Sequence, residues 1–279
     1  MRGIRQAARA GRAMVNSVRR PPWVPPGHYY SPHPSTADIE RALSWPDEAP
    51  GVELHEEDQL RLWGDLAPMF ADLRRDRYTD GPANRMFGAA DASVLNAMLR
   101  RLRPRRILEV GSGYSTAVML DTAEAYALDL RVRCVEPYPE RLLSLLRDGD
   151  EVELARSRAQ DVPIASYSSL AGGDVLFVDS THVAKAGSDV LWLVLHVFPR
   201  LAPGLIVHVH DVFWPFEYPE AWLREGRDWT EDYLLHAFLA RNDRWRILLF
   251  SNWLWKRHPE LVPDHLSAEN PGSIWLRAG

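Results

Sequence analysis

Cysteine is almost absent. The 279 residues contain one, Cys134, so an internal disulfide is excluded and the chain reads as a protein of a reducing, cytoplasmic compartment. Long apolar runs are missing as well. The longest, residues 191–198, is interrupted by His196 and falls well short of the roughly 20 residues that cross a bilayer, so no membrane span is expected. Positive charge is not in excess: the net charge is −5, which removes any global case for a nucleic-acid partner. No internal repeat is found, which excludes solenoids and propellers. Acids are lacking at the start of the chain. Residues 1–20 hold six arginines and no acid, and Pro21-Pro22-Trp23-Val24-Pro25-Pro26 follows. With no secretory apolar stretch, residues 1–34 read as a poorly ordered basic arm rather than an import signal.

Patterned sequence begins after that arm. Ser35, with Asp38 at capping-box distance, opens a short helix. Leu62, Trp63, Leu66, Met69, Phe70 and Leu73 then recur at helical spacing, and Pro68 kinks or restarts the helix. A turn-rich loop over 78–91, placed to fold over a bound cofactor, leads into a helix over 92–102. Residues 35–103 are therefore expected to form an N-terminal helical cover. From Arg106 the pattern changes to strands separated by helical segments. Strands are expected over 107–110, 130–135, 151–155, 175–178, 205–209, 244–250 and 273–277, so 104–279 reads as an α/β domain with a doubly wound, Rossmann-like seven-stranded sheet.

The first strand carries the organising motif, RILEVGSGYST from Arg106 to Thr116. A strand running into Gly111-Ser112-Gly113 and then a helix makes a nucleotide-sized crevice, and the glycines let the backbone approach a ligand closely. Ser115 and Thr116 can cap the helix. Glu109, two residues before the first glycine, would repel a dinucleotide pyrophosphate and attract a ligand bearing ammonium and sulfonium charge. A nicotinamide fingerprint would also need glycine at Thr116.

In such sheets ligands sit outside the carboxyl ends of the strands, and acids recur there: Glu109, Glu136, Asp179 and Asp211. Glu136 ends the second strand, where a carboxylate can accept from both ribose hydroxyls of a nucleoside or cap the next helix. His182 is a base candidate near neutral pH, with a non-catalytic loop histidine as its alternative. His208 and His210 share one face of the fifth strand, His208 being expected as a buried, hydrogen-bonded residue. Asp179, His210 and Asp211 form a possible two-carboxylate, one-histidine metal site suited to zinc, manganese or iron better than to magnesium. The competing reading is a metal-free site with His210 as base. Phe213, Trp214, Phe216, Tyr218, Trp222, Trp229, Tyr233, Phe238, Trp245 and Trp253 make the late loops aromatic. They read either as a platform for a sugar or planar acceptor or as a packed cover.

The acid-before-glycine motif resembles motif I of the class I S-adenosylmethionine (SAM) dependent methyltransferases, with Ser115 where that family often has a third glycine. The run from Glu109 to Trp214, including VDSTHV and HVHDVFWPFEYP, resembles the family 24 type. That type is related to the macrocin-type O-methyltransferases and to the cephalosporin hydroxylase family. The resemblance covers about residues 80–279. It implies an antiparallel hairpin at the end of the sheet and SAM held by Glu109, Gly111, Ser112, Gly113, Glu136, Gln160, Asp161 and Asp179. Gln160 and Asp161 match the catechol-type turn at the adenine edge, with Ala159 in place of its serine. Asp179 matches a magnesium-binding acid, His182 stands where that type has its catalytic lysine, and His210-Asp211 replaces an Asp-Asn pair. The expected activity is O-methylation of a small-molecule or carbohydrate acceptor, with a divalent metal (Mg, Mn, Fe or Zn) as an open alternative to a histidine base. A metal-dependent hydroxylase and a non-catalytic SAM- or sugar-binding partner are the rival readings. The oligomeric state is open, a homodimer included.

Overall fold

The computed structural model describes residues 22–80 and 84–279. Short runs of β-branched and leucine residues form the parallel strands β1 (Arg106–Val110), β2 (Arg131–Val135), β3 (Val152–Ala155), β4 (Val175–Val178) and β5 (Ile206–His210). Every residue of β4 and β5 is buried, as befits parallel strands covered on both faces. Strands β6 (Trp245–Phe250) and β7 (Ser273–Ala278) complete a seven-stranded sheet in the order β3-β2-β1-β4-β5-β7-β6. Strand β7 runs antiparallel to both β5 and β6, so the expected doubly wound sheet with an antiparallel end is the one found. The strand order reverses between β1 and β4, where open sheets of this kind leave their crevice.

The helices lie where the periodicity placed them: α1 (Thr36–Leu43), α2 (Glu56–Leu66), α3 (Ala89–Leu102) and α4 (Tyr114–Ala125). They are followed by α5 (Glu140–Leu145), α6 (Ile164–Ser168), α7 (Asp189–Trp192), α8 (Glu220–Glu225), α9 (Glu231–Leu239) and α10 (Ser251–Arg257). Ser35 and Asp38 form the capping box of α1. Helix α2 ends at Leu66, and a 3-10 turn, Ala67–Asp72, takes over around Pro68, which cannot supply an N–H to a continuing α-helix. Helix α7 widens into a π-turn, Leu193–Val197. Among the described residues no helix is long and apolar enough to cross a membrane.

Domain boundaries differ from those expected at 34 and 103. The described residues divide into two units: 22–46 with Glu220–Asp228, and Asp47–Pro219 with Trp229–Gly279. The cause is packing. Trp63, Leu66 and Phe70 are buried in the core of the second unit, the Trp63 indole donates to the Leu261 carbonyl at 3.0 Å, and α3 is buried from Ala92 to Leu99. A segment that loses this much apolar surface to the same core as the sheet is part of its domain. In the first unit Arg224 pairs with Glu40 at 2.8 Å and His33 with Asp228 at 2.6 Å. The arginine-rich stretch 1–20 lies outside the described residues.

Candidate active site

At the carboxyl end of β1 the chain turns at Gly111, whose φ is +85°. A Cβ there would come within 1.8 Å of the Asp179 carbonyl oxygen, so only glycine lets the β1 turn rest on the backbone that leaves β4. The Asp179 N–H donates to the Val110 carbonyl at 2.9 Å and fastens the two strand ends together. Gly113, with φ +155°, then starts α4, and its N–H donates to the Thr116 hydroxyl at 3.1 Å.

Glu109 does not line the mouth of this turn, which corrects the direct attraction expected from the sequence. Its carboxylate is fully buried and accepts from the Ser115 hydroxyl at 2.6 Å, the Thr116 hydroxyl at 2.6 Å and the Cys134 thiol at 3.2 Å. Burial pushes its carboxyl up to about 7, against the pull of those hydrogen bonds. The reason lies in the first turn of α4, where two hydroxyls sit beneath the loop and no other strong acceptor is shown for them. Ser115 and Thr116, the two departures from the glycine patterns, are therefore the residues that clamp Glu109 and hold the turn in shape.

Polar atoms without a partner occur in the turn, just after β4 and just after β3. The hydroxyls of Ser112 and Ser180 and the Oε1 of Gln160 are buried and unbonded among the described residues. Gln160 is held by its other end, its Nε2 donating to the Gly187 carbonyl at 3.0 Å. Glu136 is half-buried, one carboxylate oxygen accepting from the Tyr138 N–H at 2.7 Å. Asp161 is exposed and spends an oxygen on Arg158 at 2.7 Å. A glycine cradle bordered by unpaired buried hydroxyls and an amide oxygen fits a polar ligand such as SAM.

Next to the turn, His182 and Asp211 both adopt left-handed backbone, at φ +57° and +55°, an uncommon state for residues with side chains. The His182 Nδ1 meets Glu231 Oε2 at 2.9 Å, and its Nε2 lies 3.5 Å from Asp179 and 3.7 Å from Asp211. Burial alone would lower the His182 pKa, but the hydrogen bonds to Asp179 and Glu231 and the charges of Glu231 and Asp211 lift it well above the ordinary imidazole value. Burial would raise Asp179, yet His210 and His182 hold it below the usual carboxylate range. His210 is 2% exposed, its Nε2 3.6 Å from Asp211 and its ring 4.9 Å from Phe87.

Residues 108–212 match a family of methyltransferase domains, numbered 24 among such families. The matched stretch runs from β1 to the residue after Asp211 and is less than half of the chain. An uncharacterised protein of Archaeoglobus fulgidus is 29% identical over 167 residues, covering 52% of this chain and 73% of its own length. Among solved structures, a methyltransferase of Podospora anserina with S-adenosylhomocysteine bound is 18% identical at a TM-score of 0.46. It covers 88% of this chain and 97% of its own. The O-methyltransferase TomG of Streptomyces achromogenes, solved with SAM, is 18% identical at a TM-score of 0.43, with the same two coverages.

In the matched stretch the expected metal set of Asp179, His210 and Asp211 is not arranged for an ion. Among the described residues no three His, Cys, Asp or Glu side chains are placed to hold one. The His182 Nε2 faces both carboxylates of that set, 3.5 Å from Asp179 and 3.7 Å from Asp211. His208 is likewise not the hydrogen-bonded residue expected: both its ring nitrogens are unpartnered, and it stacks on Phe177 at 3.9 Å. Its pKa is pushed well below normal by burial and by His210. The late aromatics Phe213, Trp214, Phe216, Tyr218 and Trp253 are buried, as a packed cover would be, whereas the Trp229 ring lies 4.4 Å from His182.

Glu231, Thr230 and Asp91 went unnoticed in the sequence. Thr230-Glu231-Asp232 has the polar and acidic character of a helix start, which explained the carboxylates without a site. Only the fold reveals that Glu231 faces His182, 49 residues earlier in the chain.

Proposed function

We propose that the chain is a SAM-dependent O-methyltransferase acting on a hydroxyl of a sugar, glycan or natural product. One juxtaposition carries this reading: the glycine turn with its unpaired polar atoms lies directly against the backbone that presents Asp179 and His182. The match to a methyltransferase domain over 108–212 supports the reaction type. Bound SAM would supply an electrophilic methyl group on a sulfonium. Gly111, Ser112 and Gly113 would hold its amino-acid part, Glu136 its ribose hydroxyls, and Gln160 and Asp161 the adenine edge. Asp179, kept ionised by His210 and His182, supplies negative charge suited to a cationic donor.

Chemistry then needs positioning and removal of one proton. As the acceptor oxygen bonds to the methyl carbon and the carbon–sulfur bond breaks, the hydroxyl proton passes to His182 Nε2, the ring nitrogen turned toward Asp179 and Asp211. His210 serves this role less well, because its Nε2 is placed against one carboxylate of the pair, Asp211 at 3.6 Å, where His182 faces both. No step is routed through a metal, since among the described residues no three His, Cys, Asp or Glu side chains are placed to hold one.

Calorimetry with SAM and with S-adenosylhomocysteine tests the donor. Methyl-labelled SAM incubated with glycan fractions, with and without chelator, tests the acceptor class. Binding of both nucleosides and chelator-resistant labelling are expected. If neither nucleoside gives heat or shifts the melting point, the methyltransferase reading is wrong. Binding without any labelling would point instead to a non-catalytic SAM- or sugar-binding protein.

A further inference from the structure

Histidine 182 can work as a proton acceptor only if one particular nitrogen faces the reacting hydroxyl. An imidazole on a loop is free to flip about its Cβ–Cγ bond, which would turn carbon rather than nitrogen toward the acids. Three features of the start of α9 hold the residue, two at its backbone and one at the ring. The His182 carbonyl accepts from the N–H groups of both Thr230 and Glu231, at 2.9 and 3.2 Å. The Ala184 N–H donates to the Thr230 hydroxyl at 2.7 Å. The Glu231 carboxylate takes the ring itself at Nδ1, at 2.9 Å.

Glu231 is 2% exposed, and a buried carboxylate is costly unless it is paired. Its neighbour Asp232 is also buried but is used elsewhere, accepting from the Phe213 N–H at 3.1 Å. We propose that Glu231 is the positioning residue of this site: it accepts a hydrogen bond from His182 Nδ1 and so fixes the ring with Nε2 between Asp179 and Asp211. A carboxylate can only accept, so the hydrogen must sit on Nδ1. Ring orientation and backbone position are thus set by one helix start, and Trp229 packs against the ring at 4.4 Å. The catalytic significance of this arrangement rests on the methyl-transfer reading, whereas the arrangement itself does not.

Full-length protein labelled with 15N-histidine tests it. Long-range proton–nitrogen correlation spectra would be recorded for the wild type, Glu231→Ala, Glu231→Asp and Glu231→Gln, with His182→Gln to assign the signals. S-adenosylhomocysteine affinity would be measured by calorimetry on the same samples. In the wild type, one ring form with a hydrogen-bonded Nδ1–H is expected. Glu231→Gln should keep it, because an amide oxygen can still accept, whereas Glu231→Ala should abolish it. S-adenosylhomocysteine affinity should change by less than about twofold throughout, because Glu231 touches the ring and not the nucleoside turn. If Glu231→Ala does not fold, Glu231→Asp decides, since a carboxylate withdrawn by one methylene should weaken or shift the Nδ1–H signal. His182 signals unchanged in both Ala and Asp variants would overturn the proposal. If the wild type binds no S-adenosylhomocysteine but the His182 signals respond as stated, the methyl-transfer reading fails and the positioning role stands.

Discussion

Two buried clusters of charge sit in the same unit of this protein, and they are built differently. On one side Arg77, only 7% exposed, pairs with Asp150 through two nitrogens at 2.8 and 2.5 Å, and with Asp121 and Glu124 at 2.9 and 2.7 Å. Asp121 also accepts from the backbone N–H groups of Asp76, Arg77 and Tyr78. The Arg77 hydrogen bond holds Asp150 below the usual carboxylate range. At the strand ends, the carboxylates of Asp91, Asp179, Asp211, Glu231 and Asp232 share two imidazoles, His182 and His210. There Asp91 Oδ1, Asp232 Oδ1 and His210 Nδ1 have no hydrogen-bond partner among the described residues. Burial pushes Asp91 up to about 7 and Asp232 well above its ordinary value. A cluster that serves the fold closes on itself. One that serves a reaction keeps open valences and perturbed acidities.

Breaking each cluster in turn should separate the two roles. The largest effect is expected from His182→Ala, which should lower turnover by roughly 10²–10⁴-fold, the usual contribution of a positioned base, with affinity for the uncharged-sulfur product S-adenosylhomocysteine little changed. Transfer of labelled methyl into the fraction that the wild type labels would measure it. The same assay sharpens the comparison through pH. A base must be neutral, and the acids around His182 raise its pKa, so the rate should rise with pH along a limb above the ordinary imidazole range. A flat profile from pH 6 to 9 would exclude His182 as the base.

Arg77→Ala should do the reverse. Removing one partner of a buried ion pair costs about 3–5 kcal/mol, so the melting temperature should drop while SAM affinity of the folded protein holds. A loss of affinity without loss of stability would show that this cluster is not merely structural.

The smallest effect is expected at Glu109. Its folded pKa is raised from 4.5 to about 7, so the proton-bound form is the stabilised one. That stability is complete below the unfolded value and declines as pH rises through about 7, a span on the order of 3 kcal/mol. Glu109→Gln should flatten the decline and be at least as stable as the wild type at pH 8, as chemical denaturation at several pH values would show. An unaltered slope would mean that Glu109 is not the group responsible.

The sheet was legible because burial writes itself into strands such as Val175–Val178 and because glycine turns and caps mark their ends. Strand limits moved by a residue or two, and one such shift matters: β5 runs to His210, leaving Asp211 as the first residue beyond it. The roles of individual side chains were harder to read. Glu109 carries the right residue type in the right place, but only the packing of Ser115 and Thr116 shows that it faces inward. The metal set looked complete along the chain, but in the fold the carboxylates of Asp179 and Asp211 both face a histidine three residues after Asp179. Glu231 could not be found at all, since a contact between a loop and a distant helix leaves no periodic trace.

The missing side chain at Gly111 has a further consequence. With nothing between the β1 turn and the Asp179 carbonyl, the part of the protein that would grip a nucleoside rests directly on the backbone that leads to His182. Neither can be displaced without the other. A side chain introduced at position 111 would therefore have to push both apart at once.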